Sequence, residues 1–156
     1  MANTYTQLYI QFVFAVKGRK SMIPKAHKAQ LHKYITGLVQ NRGHKMLRVH
    51  CMPDHCHIFV GMKPVQSISK LVEEIKTGSS KFIKKQPWMP FPFAWQKGFG
   101  AFSYSHSHID RVVKYIMNQE QRHQKQNFEV EYLALLKQFD VEFDEQYLFQ
   151  WNDMTH

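Results

Sequence analysis

The stretch Cys51-Met-Pro-Asp-His55-Cys-His57-Ile-Phe-Val-Gly61 predicts a turn that runs directly into a short β-strand. Its Pro-Asp pair is typical of a turn, and the apolar run after it is typical of a buried strand. Because side chains i and i+2 of a strand lie on one face, His55 and His57 are neighbours while Cys56 faces the opposite side. Two imidazoles on one face of a strand can hold a divalent metal ion at two points.

The composition is that of one folded domain, which we place over residues 1–156. The chain is 44% hydrophobic and 14% aromatic, which excludes a disordered protein. Lysine and arginine total 21 against 12 acidic residues, which gives a formal charge of +9. This surplus favours an anionic partner, of which nucleic acid is the commonest for a small basic domain. A basic protein with a merely solvated surface is the alternative that charge alone leaves open.

Cysteine usage and hydropathy indicate a cytosolic protein with no membrane partner. Cys51 and Cys56 lie too close in sequence to staple a fold, so we expect reduced thiols. The N-terminal residues lack the pattern of a signal peptide, and no apolar run approaches the length that spans a bilayer.

The pattern along the chain predicts an α+β fold. The first half predicts a strand over 5–16 with one buried face, a helix from Pro24 to about 41–43, and a hairpin of strands 45–51 and 55–62. The second half predicts a helix after Ser67, a strand over 93–105 and a third helix from 107. A short helix followed by an extended segment is predicted within 128–149. The order β-α-β-β-α-β is typical of a ferredoxin-like or RRM-like sandwich. We therefore expect an antiparallel sheet with helices on one face, plus C-terminal helices.

Two local features qualify this prediction. Gly78-Ser-Ser80 is expected to interrupt the second helix, and Ser107-His-Ile-Asp110 is expected to open the third as a capping box. In that third helix Tyr115 falls off the apolar stripe, and Gln119 lies one turn further on the same face. An amphipathic tyrosine at the edge of a core is the alternative interpretation.

The pattern Pro53-Asp-His-Cys-His57 followed by Tyr115-Ile-Met-Asn-Gln119 resembles the single-tyrosine transposases of the HUH superfamily, those of bacterial insertion sequences and of repetitive extragenic palindromes. The resemblance extends over nearly the whole chain, in the same order, through the segments Ser67-Ile-Ser-Lys-Leu71, Gly78-Ser-Ser80, Trp95-Gln-Lys-Gly98 and Gly100-Ala-Phe-Ser103.

The resemblance implies a chemistry that these residue types can perform. His55, His57 and the amide oxygen of Gln119 would be the metal ligands, and Tyr115 would attack phosphorus to form a covalent phosphotyrosine. It further implies Mg²⁺ or Mn²⁺ as the cofactor, a hairpin of single-stranded DNA as the substrate, a 5′-phosphotyrosine link and a homodimer. In insertion-sequence members the histidines of one subunit face the tyrosine of the other, which residue patterns alone do not predict here.

Basic side chains are the candidate contacts to DNA phosphates, although a solvated lysine face is an equal alternative for each. They are Lys17, Arg19, Lys20, Lys76, Lys81, Lys84, Lys85, Lys97 and Arg122. A general base for Tyr115 is not evident from the sequence. His108 lies on the right side of the helix but fits better as a residue of the helix start.

Parts of the sequence also agree with two other functions. A structural zinc site could use the histidines and cysteines crowded between His50 and His57, although strand alternation separates the two residue types. A binding-only RRM-like module is suggested by 97–104, which matches much of the RNP1 pattern. In that fold, however, RNP1 precedes the second helix, and here the segment follows it.

Overall fold

The computed structural model describes residues 3–144 and residue 148. Its strands are β1 (Tyr9–Ala15), β2 (Lys45–Met52), β3 (His55–Gly61) and β4 (Gly100–Tyr104). They form one antiparallel sheet in the order β2-β3-β1-β4. Its α-helices are α1 (Lys28–Asn41), α2 (Ile68–Lys84), α3 (Ile109–Met117), α4 (Gln119–Arg122) and α5 (Phe128–Gln138). The predicted α+β class and the βαββαβ order are confirmed.

Helices cover both faces of the sheet. Alternate residues of β1 and β3, such as Phe12 and Ile58, pack with the buried faces of α1 and α2 in the larger core. The other face carries Val13 and Phe102, which pack with residues of α5. Phe59, on the same side, packs with α3. The helices predicted on one face are α1 and α2, and the C-terminal helices cover the other.

The first strand is therefore buried on both faces, and the prediction of one buried face is wrong. Gln11, which falls on the polar side of the alternating sequence, is 0% exposed. β1 is a central strand whose second face lies beneath the C-terminal helices, so each of its residues from Ile10 to Ala15 is buried. A polar residue in such a place needs a hydrogen-bond partner.

The second helix is continuous, contrary to the predicted interruption at Gly78-Ser-Ser80. Ser67 caps its start by accepting a hydrogen bond from the Lys70 amide at 3.0 Å. A Cβ atom at Gly78 would lie 2.9 Å from the Leu38 side chain, so glycine permits α1 and α2 to pack closely here. Ser79 Oγ accepts the Trp95 indole N–H at 2.9 Å in the buried interior.

The third helix begins without the predicted capping box. Residues 106–108 form a 3-10 turn, and α3 starts at Ile109 with no side-chain hydrogen bond at its N-cap. Ser105 Oγ instead pairs with His108 Nδ1 at 2.7 Å. The predicted strand over 93–105 is regular only within β4, and Trp95 makes a single bridge to Val16.

The predicted tail helix is α5. Its N-cap Asn127 accepts a hydrogen bond from the Val130 amide at 3.0 Å. The extended segment predicted after it, up to 149, is a turn at 139–140 and irregular chain over 141–144, and residues 145–147 and 149 lie outside the described residues. Among the residues that the model describes, no helix has the length and apolar character needed to cross a membrane.

Candidate metal and tyrosine site

The two histidines of β3 lie side by side beneath the C-terminal helices, as the strand alternation predicts. Their ring centroids are 5.2 Å apart. Both side chains are 0% exposed, because Phe128 of α5 stacks on His55 at 4.3 Å and Tyr115 packs edge-on against His57 at 5.7 Å. Neither imidazole is therefore exposed to solvent in this arrangement of the chain.

Neighbouring polar groups fix the protonated nitrogen of each ring. Gln11 donates through Nε2 to the Tyr104 hydroxyl at 2.8 Å, so its Oε1 accepts the His57 Nδ1–H at 2.7 Å. Asp54 Oδ1 lies 2.7 Å from His55 Nδ1 and accepts from it in the same way. Each ring therefore presents the lone pair of Nε2 to the site, and burial lowers the pKa of His57, which favours the neutral ring.

The kinked pair α3–α4 brings three polar side chains to the histidines. Tyr115, Gln119 and His123 are spaced by four residues, so they share one helical face. Gln119 is 0% exposed, and its Oε1 lies 3.3 Å from His55 Nε2. The structure thus brings together the predicted ligands His55, His57 and Gln119.

Sequence reasoning missed Glu131, which α5 places in the middle of the site. Its carboxylate is 2% exposed. Oε1 lies 3.3 Å from His57 Nε2 and 3.6 Å from His55 Nε2. Oε2 accepts hydrogen bonds from the Tyr115 hydroxyl and, at 2.8 Å, from Gln119 Nε2. The available signal was a carboxylate within the apolar stripe of a helix, three residues after Phe128 and four before Leu135.

The arrangement of these atoms fits a bound cation. The lone pairs of both Nε2 atoms face Glu131 Oε1, and Gln119 Oε1 faces His55 Nε2. These nitrogen and oxygen atoms are all hydrogen-bond acceptors with no proton between them, so a cation bound among them would replace their repulsion by attraction. The ligand atoms of His55, His57 and Glu131 all lie within 4.8 Å of one another. Imidazole, carboxylate and amide oxygen are ligands that proteins use for divalent ions.

The Tyr115 hydroxyl is held in its protonated form. Burial, the charge of Glu131 and the hydrogen bond to it all raise the pKa of this phenol above its ordinary value. The Arg122 guanidinium lies 4.4 Å from the centre of the ring and opposes that rise. Burial would raise the pKa of Glu131, but its contacts with His57, His123 and Tyr115 lower it overall, so the carboxylate is ionised.

The predicted DNA contacts occupy different parts of the molecule. Lys17, Lys20, Lys81, Lys84, Lys85 and Lys97 are exposed, and the Arg19 side chain lies outside the described residues. Lys76 is used internally: Nζ donates to the Gln96 carbonyl at 2.8 Å, and burial lowers the pKa of this amine to about 8. Arg122 is half-buried against the tyrosine.

The cysteines are not reduced thiols as expected, because Cys51 and Cys56 form a disulfide. They are directly opposed across the β2–β3 hairpin, with Cα atoms 4.2 Å apart. Both belong to the larger core, on the sheet face opposite the histidines. This placement removes them from a shared zinc site with His55 and His57.

The RNP1-like segment does not offer free aromatic rings in this arrangement. Phe102 and Tyr104 of β4 lie 4.9 and 5.3 Å from Phe139, just past α5. His108 is exposed at the start of α3, where it pairs with Ser105, so its interpretation as a residue of the helix start agrees with the structure.

The sheet with its buried histidine pair, facing a helix that carries a tyrosine, agrees with the resemblance to the HUH single-tyrosine transposases. Comparison with known proteins agrees. Residues 4–119 match the family model described as "Transposase IS200 like". The chain belongs to this family of transposases. A search of curated proteins found no match.

Two solved structures share the fold. One is a Deinococcus radiodurans R1 protein described as a transposase, with 20% identity, a TM-score of 0.58, and coverage of 76% of this chain and 95% of that chain. The other is a REP-associated tyrosine transposase bound to a REP hairpin, with 17% identity, a TM-score of 0.59, and coverage of 79% of this chain and 73% of that chain. The family match ends at Gln119, before Glu131.

Proposed function

We propose that this transposase cleaves and rejoins single-stranded, hairpin-bearing DNA through a 5′-phosphotyrosine intermediate on Tyr115. The observation that carries the proposal is that Tyr115 and the pair His55 and His57 meet within one chain. The phenol contacts one oxygen of the Glu131 carboxylate, and the histidines face the other. A phosphodiester placed there would contact the nucleophile and the imidazole pair together.

The reaction is a transesterification. The Tyr115 oxygen forms a bond to phosphorus, the bond from phosphorus to the 3′-oxygen breaks, and the phenol proton passes through water to the 3′-oxygen, which departs as a hydroxyl. Because one phosphoester replaces another, a free 3′-hydroxyl can reverse the step without ATP. The high pKa of the buried phenol means that the proton must be removed as the bond forms.

His55, His57 and Gln119 would hold the divalent ion, for which we propose Mg²⁺ or Mn²⁺. When bound, the ion would polarise the scissile phosphate and stabilise the charge that develops on it. The protein's part is to orient the ligands, with Gln11 and Asp54 fixing the two rings and Glu131 accepting from the Gln119 amide.

DNA would approach along the ends of β1 and β4. The turn that holds Arg19 and Lys20 follows Ala15, the partner of His55 in the sheet register. Lys97 lines a cavity of about 230 Å³ together with Phe128 and Tyr132 of α5. These residues and Arg122 are our first candidates for phosphate contacts. Lys81 and Lys84 of α2, and Lys85 directly after it, lie across the sheet from the site and would meet only a more distant part of a hairpin.

The relative that was solved with a REP hairpin supports a hairpin as the substrate. A homodimer remains a prediction, which light scattering can test. The tyrosine and histidines already meet within one chain, so the proposed chemistry does not depend on a site shared between subunits.

Incubation with a labelled DNA hairpin and Mn²⁺ tests the proposal. We expect an SDS-resistant protein–DNA adduct that EDTA prevents and that Tyr115→Phe abolishes while hairpin binding persists. Tyr5→Phe, which changes a phenol that is 89% exposed, is the matched control and should form the adduct normally. Binding without any adduct in the wild type would instead identify a non-cutting DNA-binding protein.

A further inference from the structure

Helix α4 is too short to hold its own orientation. It spans only Gln119–Arg122, and Asn118, whose ψ of 17° departs from the helical value, separates it from α3. A helix of four residues is unstable by itself in water, because nucleation costs more than so few hydrogen bonds return. The direction in which the Gln119 amide points therefore depends on the contacts that α4 makes with the rest of the protein.

Glu120 follows Gln119 directly but contacts a different part of the molecule, the start of α1. Gln119 is 0% exposed beside the histidines, whereas 36% of the Glu120 side chain is exposed. Glu120 Oε1 accepts a hydrogen bond from Lys28 Nζ, at the first residue of α1. Its other oxygen, Oε2, lies 3.2 Å from Lys25 Nζ in the 3-10 turn before that helix. Two ion pairs thus join α4 to α1.

Lys28 is itself fixed against the sheet. Its Nζ lies 3.3 Å from His50 Nε2, and only 19% of its side chain is exposed. His50 of β2 is the partner of His57 in the β2–β3 register, so the two residues lie on one face of the sheet. Lys28 therefore connects Glu120 of α4 to the strand beside the one that carries the metal-binding pair.

From these contacts we infer that the Lys28–Glu120 ion pair positions Gln119 for metal binding, with Lys25 as a second partner. The inference rests on the proposed function, in which Gln119 is a metal ligand. Glu120 does not contact the ion: it is a positioning residue that orients α4, so that Gln119 Oε1 lies 3.3 Å from His55 Nε2. The family match ends at residue 119, so Glu120 lies outside the part of the chain that it covers.

Calorimetric titration with Mn²⁺ in the absence of DNA tests the inference. Glu120→Gln should lower Mn²⁺ affinity about two- to fivefold, as expected for the loss of a partly exposed ion pair, and Lys28→Met should lower it by a similar factor. A simple charge effect differs in sign, because removing the Lys28 cation would then raise the affinity for Mn²⁺. Glu73→Gln is the matched control and should bind Mn²⁺ normally, since Glu73 forms an exposed pair with Lys70 at 3.9 Å on α2.

A double-mutant cycle tests whether the ion pair acts through Gln119. Gln119→Ala removes the amide and keeps both histidines, and in that background Glu120→Gln should leave Mn²⁺ affinity unchanged. Exchange of the two charges provides a rescue: Lys28→Glu combined with Glu120→Lys should bind Mn²⁺ more tightly than either of these substitutions alone. Thermal melting of each variant checks that it is folded.

Higher Mn²⁺ affinity in Lys28→Met would overturn the inference, because it would show a charge effect alone. So would a loss of affinity from Glu120→Gln that persists in the Gln119→Ala background, or wild-type affinity in both Glu120→Gln and Lys28→Met. If the protein forms no adduct with a DNA hairpin, the proposed cleavage reaction fails, yet the Mn²⁺ titrations still decide whether this ion pair positions Gln119.

Discussion

Gln11 is predicted to control metal binding although it does not face the site directly. Its Oε1 accepts the His57 Nδ1–H at 2.7 Å, which leaves Nε2 free to coordinate. Gln11→Leu removes this acceptor, so the ring can rotate or move its proton to Nε2. Loss of such a partner typically lowers metal affinity about 10- to 100-fold, which corresponds to about 1.4–2.7 kcal/mol.

The same substitution should also destabilise the fold. Gln11 is 0% exposed and donates to the Tyr104 hydroxyl at 2.8 Å, so leucine leaves both a ring N–H and a hydroxyl without this partner. We expect a loss of about 1–3 kcal/mol in the free energy of unfolding. Gln11→Glu keeps an acceptor for His57 and should bind metal nearly as the wild type does.

Calorimetric titration with Mn²⁺ measures the affinity, and urea denaturation measures stability. Gln7→Leu makes the same change at an exposed position just before β1 and serves as the control. Equal Mn²⁺ affinity in Gln11→Leu and Gln7→Leu would refute the assignment of Nε2 as the metal-binding nitrogen of His57.

Two predictions concern stability. Ser79→Ala leaves the buried Trp95 N–H without its acceptor at 2.9 Å. In urea denaturation it should lower the free energy of unfolding by about 1–3 kcal/mol. The control is Ser80→Ala, because the Ser80 side chain makes no hydrogen bond within the described residues, and it should change this free energy by less than about 0.5 kcal/mol. Burial lowers the pKa of His32 and of His50 from the ordinary 6.5 to about 4 in the folded protein. Between these two pH values the unfolded chain therefore binds protons at both histidines while the folded chain does not, so the melting temperature should fall as the pH drops from 6.5 towards 4. His32 Nε2 accepts the Cys51 amide at 2.7 Å, so His32→Gln, which retains an acceptor, should flatten this pH dependence, and an unchanged profile would contradict the assignment.

Local patterns were enough to predict the half of the site that depends on spacing within a single strand or helix. The i, i+2 spacing of a strand placed His55 beside His57, and the i, i+4 spacing of a helix placed Tyr115 beside Gln119. These relations hold whatever the tertiary structure is. The β-α-β-β-α-β order likewise followed from periodicity, and the sheet order agrees with it.

The missing half depends on which helices cover the second face of the sheet. The alternation of the first strand predicts one exposed face, on which Gln11 falls, and the sequence around Glu131 predicts only a short helix. The burial of both side chains depends on the packing of α5 over β1 and β4 through residues such as Leu135. The Cys51–Cys56 disulfide was missed for a related reason, since only the hairpin register brings the two residues opposite each other.

The most direct measurement is to identify the residue that carries DNA after reaction with a hairpin and Mn²⁺. The adduct is digested with nuclease and protease, and the nucleotide-bearing peptide is sequenced by mass spectrometry. We predict a single modified residue, Tyr115, linked to a 5′-phosphate. A nucleotide attached to any other residue, or an adduct that persists in Tyr115→Phe, would contradict the account.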